Sequence, residues 1–172
     1  MRFAASVEYE GTNFFGWQRQ SSVNSIQEEI ENSISQITQS NIKIQGAGRT
    51  DAGVHALGQV FHFDTDIIRP INSLIKGVNS FLPDSIRIKW VKSVPDDFHA
   101  RFFATGREYQ YLLNNSSINS SIWSNHCGWT FYELDFTLLK NASKKFEGCH
   151  DFSAFRSSEC QAKSPIRLIK NI

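Results

Sequence analysis

Residues 42–63 read Ile42-Lys43-Ile44-Gln45-Gly46-Ala47-Gly48-Arg49-Thr50-Asp51-Ala52-Gly53-Val54-His55-Ala56-Leu57-Gly58-Gln59-Val60-Phe61-His62-Phe63. The β-branched, alternating ends predict a short strand over 42–45 and another over 59–63, joined by a glycine-rich loop. That loop holds one carboxylate, Asp51, placed two residues after Arg49 and between Gly48 and Gly53, with Gly46 just upstream. Glycines let a backbone turn sharply and let a bulky ligand approach. A guanidinium beside a carboxylate favours the ionised form. The run therefore reads as a rigid loop that presents a charged aspartate to something large, although a tight turn with a surface aspartate satisfies the same residues. Two common glycine motifs fail here. Gly48 and Gly53 have the P-loop spacing, but Val54-His55 stands where Lys-Ser/Thr is needed. The dinucleotide fingerprint requires a glycine where Asp51 stands.

Outward from the loop, the periodicity builds a fold. Residues 2–9 alternate, with Phe3, Val7 and Tyr9 on one face, and predict a strand. Ser25 with Glu28 forms a capping box ahead of Ile26, Ile30, Ile34 and Ile37 at helical spacing. Pro70 opens a second helix with Leu74, Ile75 and Val78 on its apolar side. Pro83-Asp84 turns the chain into a strand alternating Ile86, Ile88 and Trp90. The order is β-α-β-β-α-β, the split βαβ or ferredoxin-like arrangement of an α+β protein. A second series follows: a strand over 107–113, a helix capped by Asp135 with Phe136, Leu139, Ala142 and Phe146, and a strand over 164–172. Residues 114–125, rich in Ser and Asn, form a loop. If the second series copies the first, its last strand, helix and strand are absent. An exposed strand edge is an odd place for a domain to stop, so the pattern suggests a truncated second half. The expected domains are residues 1–104, with the aspartate loop, and 105–172, incomplete.

The 172 residues suit one ordinary domain or one and a half small ones. Hydrophobic content of 40% and charged content of 20% fit a soluble globular protein. No apolar run reaches the roughly 18 residues of a membrane span, and an N-terminus with Glu8 in a strand-like pattern is unlike a signal peptide. Cys127, Cys149 and Cys160 are odd in number and irregularly spaced, which predicts reduced thiols in a cytoplasmic protein. Their spacing, with His150, lacks the Cys-x-x-Cys or paired histidines of a zinc site, so no metal is expected. No Gly-x-Ser-x-Gly elbow supports a serine hydrolase. A net charge of +1 does not advertise nucleic-acid binding, yet a local basic cleft matters more than the total.

Gly48-Arg49-Thr50-Asp51-Ala52-Gly53-Val54-His55 resembles the signature of the bacterial tRNA pseudouridine synthase A family. The likeness extends in order along nearly the whole chain. It includes Tyr9-Glu10-Gly11, Phe15-Gly16-Trp17-Gln18-Arg19-Gln20, Ser25-Ile26-Gln27 and Gly58-Gln59-Val60. It continues through Pro95-Asp96-Asp97-Phe98-His99-Ala100-Arg101-Phe102, Arg107-Glu108-Tyr109-Gln110-Tyr111 and His150-Asp151-Phe152-Ser153-Ala154-Phe155.

The resemblance implies a pseudouridine synthase fold of two ferredoxin-like halves around a central cleft, with a largely antiparallel sheet. It implies isomerisation of uridine at positions 38, 39 and 40 of the tRNA anticodon stem-loop, by a homodimer that needs no cofactor. It places the catalytic role on Asp51. That carboxylate can serve as nucleophile at sugar or base, or as the base that removes a ribose proton. Arg49 either keeps Asp51 ionised or fills the space left by a flipped nucleotide, and the resemblance favours contact with substrate. Tyr109, on one strand face with Arg107 and Tyr111, can stack on the flipped uracil. Gln18 and Arg19, in a loop mixing aromatics with a cation, are candidate RNA contacts, as are His55 and Arg101. His62 and His99 could line the same cleft, but a satisfied structural histidine is the default reading. Family members run on past Ile172, with further active-site residues that have no counterpart here. The alternative reading is therefore a tRNA-binding fragment without catalysis.

Overall fold

The computed structural model describes residues 1–67, 69–156 and 164–172. The chain divides into two compact units, Met1–Tyr109 and Gln110–Ile172. In the first unit the elements are β1 (Arg2–Tyr9), α1 (Ile26–Thr38), β2 (Ile44–Gly46), β3 (Ala56–Asp64), α2 (Ile71–Phe81) and β4 (Ile86–Val94). The strands lie in the order β2-β3-β1-β4, every neighbouring pair antiparallel. This is the split βαβ topology that the periodicity predicts.

The pleat assigns the two faces. Phe3, Ala5, Val7 and Tyr9 of β1 join Phe61 and Phe63 of β3 and Ile86 and Ile88 of β4 in one buried cluster. Both helices cover it with Ile26, Ile30, Ile34, Leu74 and Val78. Burial of these large side chains is the main source of stability for this unit. The Ser25 hydroxyl accepts from the Glu28 N–H at 3.3 Å, so α1 starts where the capping signal places it. The Glu28 carboxylate does not close the box in the expected way but sits 3.1 Å from Arg19. Pro70 lends its carbonyl to Ser73 and Leu74 as the cap of α2. An aromatic row runs through this core from Phe63 to Phe61 (6.1 Å), Trp17 (6.3 Å) and Tyr9 (6.0 Å), ending under the glycine loop.

The second unit is built from β5 (Leu113–Asn115), β6 (Gly128–Thr130), α3 (Phe136–Ser143), β7 (Gly148–Asp151) and β8 (Ile166–Ile169). β5 and β6 form a parallel pair, β7 and β8 an antiparallel one. Asp135 caps α3 by accepting from Thr137 and Leu138 at 2.8 and 3.0 Å, as expected. The helix ends at Ser143, and Phe146 lies instead in a short 3-10 turn, Lys144–Phe146.

The strand expected over 107–113 requires correction. Residues 107–112 have no ladder partner among the described residues, and strand structure starts only at Leu113. Alternation supplies a face but not a neighbour, and a strand exists only when its backbone N–H and C=O groups are paired. Two strands escaped the sequence, Gly128–Thr130 and Gly148–Asp151, because three or four residues hold too few apolar positions to show a period.

Candidate active site

The loop between β2 and β3 is fastened on every side, and its anchors explain why it keeps one shape. At its base, Ala47 donates its N–H to Val60 O (2.7 Å), the Gln59 amide donates to Gly48 O (2.6 Å), and Arg107 Nη2 donates to Ala47 O (2.6 Å). At its tip, Val54 N–H closes a turn onto Asp51 O at 3.2 Å. A strap formed by residues 14–20 lies along it. Trp17 N–H donates to Thr50 O (3.0 Å), and Gly53 N–H donates to Phe14 O (3.2 Å). Between those bonds Gly16 takes φ +86°, and a Cβ there would stand 2.4 Å from Thr50 O. Only glycine admits both that backbone conformation and that approach. From below, the buried Tyr9 hydroxyl meets Thr50 Oγ1 at 2.9 Å.

Asp51 sits between these anchored neighbours. Its side chain is exposed and makes no hydrogen bond or ion pair among the described residues. The fold thus fixes the backbone on either side and leaves the carboxylate open to solvent. That arrangement suits a group that must act on a large substrate, since the geometry is set in advance while the oxygens stay accessible.

Arg49 is likewise exposed, and among the described residues no ion pair joins it to Asp51. Its expected task of holding Asp51 ionised has no contact to support it. His55 belongs to the loop. Its Nδ1 accepts the Gly11 N–H at 3.0 Å, and Glu10 Oε1 lies 3.4 Å from the same nitrogen. The hydrogen bond from Gly11 uses the Nδ1 lone pair and ties the imidazole to the end of β1. Tyr109 is 83% exposed, without a hydrogen bond or ring contact among the described residues.

Gln18 and Arg19 are bound into the protein. Gln18 Nε2 and Arg19 N–H both donate to Gln27 Oε1, at 2.9 and 3.1 Å, and Arg19 Nη1 donates to Glu31 Oε2 at 2.9 Å. Arg101, His62 and His99 gather elsewhere. His62 Nδ1 accepts from Ala100 N–H at 3.2 Å, and its ring lies 4.7 Å from that of His99. His62 pairs with Ala4, whereas the loop end of β3 pairs with Tyr9. At ~3.3 Å per residue the two ends are about 20 Å apart along the strand. Burial pushes the His62 imidazole below its ordinary value of 6.5, helped by His99 and Arg2. It is a neutral structural histidine.

Four residues of this region were missed in the sequence: Tyr9, Thr50, Arg107 as a loop anchor, and Glu31. Glu31 did leave a signal. It lies on the buried side of a helix between Ile30 and Ile34, where a carboxylate is costly unless it is satisfied. Among the metal-binding candidates weighed on sequence, Cys160 lies outside the described residues.

The family described as tRNA pseudouridine synthase matches residues 5–102, which run from within β1 through β4 and include the loop. The tRNA pseudouridine synthase A of Pseudoalteromonas atlantica is 47% identical over 172 residues, covering all of this chain and 65% of that protein. The proteins of the same name from Nitrosomonas eutropha and Shewanella frigidimarina are 47% and 45% identical, with 61% and 66% of their lengths covered. The chain thus spans a little under two thirds of the length of these relatives. The matched region includes the aspartate loop, the strap against it and the sheet that bears both: the chain belongs to the tRNA pseudouridine synthase family.

Proposed function

We propose that the protein isomerises uridine to pseudouridine in tRNA, with Asp51 as the catalytic residue. The observation that supports this most directly is a solvent-facing carboxylate held by backbone anchors on both sides. In the reaction the bond between uracil N1 and ribose C1′ breaks, the base turns, and C5 bonds to C1′. The C5 proton leaves and N1 gains one. Atoms and electrons balance within the nucleotide, so neither cofactor nor metal is required. Asp51 acts as nucleophile at C1′ or C6, or withdraws a ribose proton, while Arg49 and Tyr109 contact the target nucleotide. Residues 1–104 form a ferredoxin-like domain carrying the loop, and residues 105–172 the first part of a second, incomplete domain. The substrate is the anticodon stem-loop at positions 38, 39 and 40, bound by a cytoplasmic homodimer through shape and charge, with Gln18, Arg19, His55 and Arg101 as further contacts. No helix among the described residues is long and apolar enough to cross a membrane.

Tritium release from tRNA labelled at uracil C5 tests this reading. Asp51→Asn should lower turnover by about 10³-fold or more while leaving tRNA affinity within about twofold. Binding should weaken steeply with salt as neutralised phosphates release counterions. Salt-sensitive tRNA binding with no release by the unaltered chain would favour the second reading, an RNA-binding segment of a longer enzyme. Its support is the share of the relatives' length that this chain covers. Turnover surviving Asp51→Asn would overturn the first.

A further inference from the structure

We propose that Glu31 is a positioning residue for Asp51, acting through the strap and through the start of β2; the proposal rests on the reading of Asp51 as the catalytic group. Glu31 is 2% exposed, and a carboxylate so enclosed is costly unless each oxygen is satisfied. Here both are. Oε1 accepts from Ile44 N–H at 3.1 Å and from Gln27 Nε2 at 3.0 Å. Oε2 accepts from Arg19 Nη1 at 2.9 Å and from Lys43 Nζ at 3.3 Å. Burial alone would push this carboxyl up. Its bonds to Arg19, Ile44 N–H, Gln27 and Lys43 outweigh that and hold it below its ordinary value of 4.5.

The two oxygens lead to the two segments that bracket the loop. Through Ile44 and Lys43, Glu31 fixes the entrance of β2, which delivers the chain to Gly46 and the loop base. Gln27 reinforces this by donating to Ile44 O at 3.2 Å. Through Arg19, Glu31 fixes the end of the strap. Gln27 again assists, since its Oε1 accepts from Arg19 N–H and its own N–H donates to Trp17 O at 3.0 Å. One residue further along, Trp17 N–H and Gly16 press on Thr50, the residue before Asp51. A buried apolar side chain could fill the same space, but it could not set the register of two separate segments. Four directed bonds to one carboxylate can.

Glu31→Gln keeps the shape of the side chain but removes its charge and leaves it a donor where Arg19 or Ile44 needs an acceptor. Hydrogen exchange should then speed up by about tenfold or more at the amides of Trp17 and Gly53, the strap–loop bonds. With tRNA, kcat should fall about 10–100-fold while KM stays within about twofold, as displacement of a reacting group predicts. Arg19→Met severs the strap arm alone and spares the β2 arm. It should reproduce the faster amide exchange and the fall in kcat, with a rise in KM besides for the lost tRNA contact, and the double variant should have a kcat no lower than that of Glu31→Gln. Unchanged amide exchange in the loop, or unchanged kcat in Glu31→Gln, would overturn the proposal; so would an Arg19→Met effect confined to KM. If the unaltered protein shows no tritium release, the functional reading has failed, and the exchange measurement still decides whether Glu31 holds the loop.

Discussion

Residues 1–109 and 110–172 have the same kinds of amphipathic element and opposite burial. In the first unit the alternating and helical stripes close on one another, and Val7, Phe61, Ile30 and Ile86 are all at 0% exposure. In the second unit no described residue is buried: Leu138 and Phe136 of α3 stand 65% and 69% exposed, Leu168 of β8 64%. Asp135 caps its helix as well as Ser25 caps α1, so local structure is not what differs. A pattern says which side of an element would be covered and not what covers it. The elements of the first unit find each other through a four-stranded sheet, whereas those of the second form two-stranded ladders, which are marginal by themselves. Stability within this chain should therefore reside in residues 1–109.

The sharpest way to break that contrast is to truncate one apolar side chain in each unit. Phe61→Ala removes a ring at the centre of the aromatic row and should cost about 3–5 kcal/mol. Leu138→Ala, on the exposed side of α3, should change stability by less than about 0.5 kcal/mol. Urea unfolding of the two variants measures both. A loss at Leu138 comparable to that at Phe61 would show that the second unit buries its helix after all.

A smaller effect concerns backbone rather than core. Gly16 and Gly148 both take positive φ, +86° and +104°. At Gly16 a methyl group would also meet Thr50 O at 2.4 Å, whereas at Gly148 its nearest neighbour is the His150 ring at 3.3 Å. Gly148→Ala should cost about 1 kcal/mol, the left-handed backbone alone. Gly16→Ala should cost about 2–4 kcal/mol, because backbone cannot step aside as a ring can. It should also lower turnover by displacing Thr50 and Asp51. Equal costs would mean that the loop yields, and that its rigidity comes from elsewhere.

How far the sequence revealed this follows the same division. Isoleucines at helical spacing and alternating Phe, Val and Tyr positions predict every element of the first unit, because local period and tertiary partner agree there. The loop was legible as a turn around Asp51, and its glycines as places of close approach. What held it was not legible. Tyr9 with Thr50, Gly16 with Thr50, and Glu31 with Arg19 are joined across 41, 34 and 12 residues, and no local pattern records such pairings. Arg107 shows the limit most plainly. Alternation placed it on a strand face, but its guanidinium donates to Ala47 O, a backbone acceptor 60 residues away.

The smallest effect is a pH dependence that should arise in the first unit. His62 is buried among Phe98, His99 and Arg2, with Asp64 beyond, and its imidazole is held below the ordinary 6.5. The unfolded chain therefore binds a proton over a range in which the folded chain does not. The resulting contribution is fully present above pH 6.5 and is lost as pH falls through the folded value. Glu31 and Asp64 act in the same direction but in a lower window, since their folded values lie below 4.5 and 3.8. A loss of stability that begins near pH 6.5 thus points to His62. His62→Asn, which keeps an acceptor for Ala100 N–H, should remove that upper limb from the pH profile and leave the acid limb in place. An upper limb that survives the substitution would assign the proton to another group and would free His62 from its place in the core.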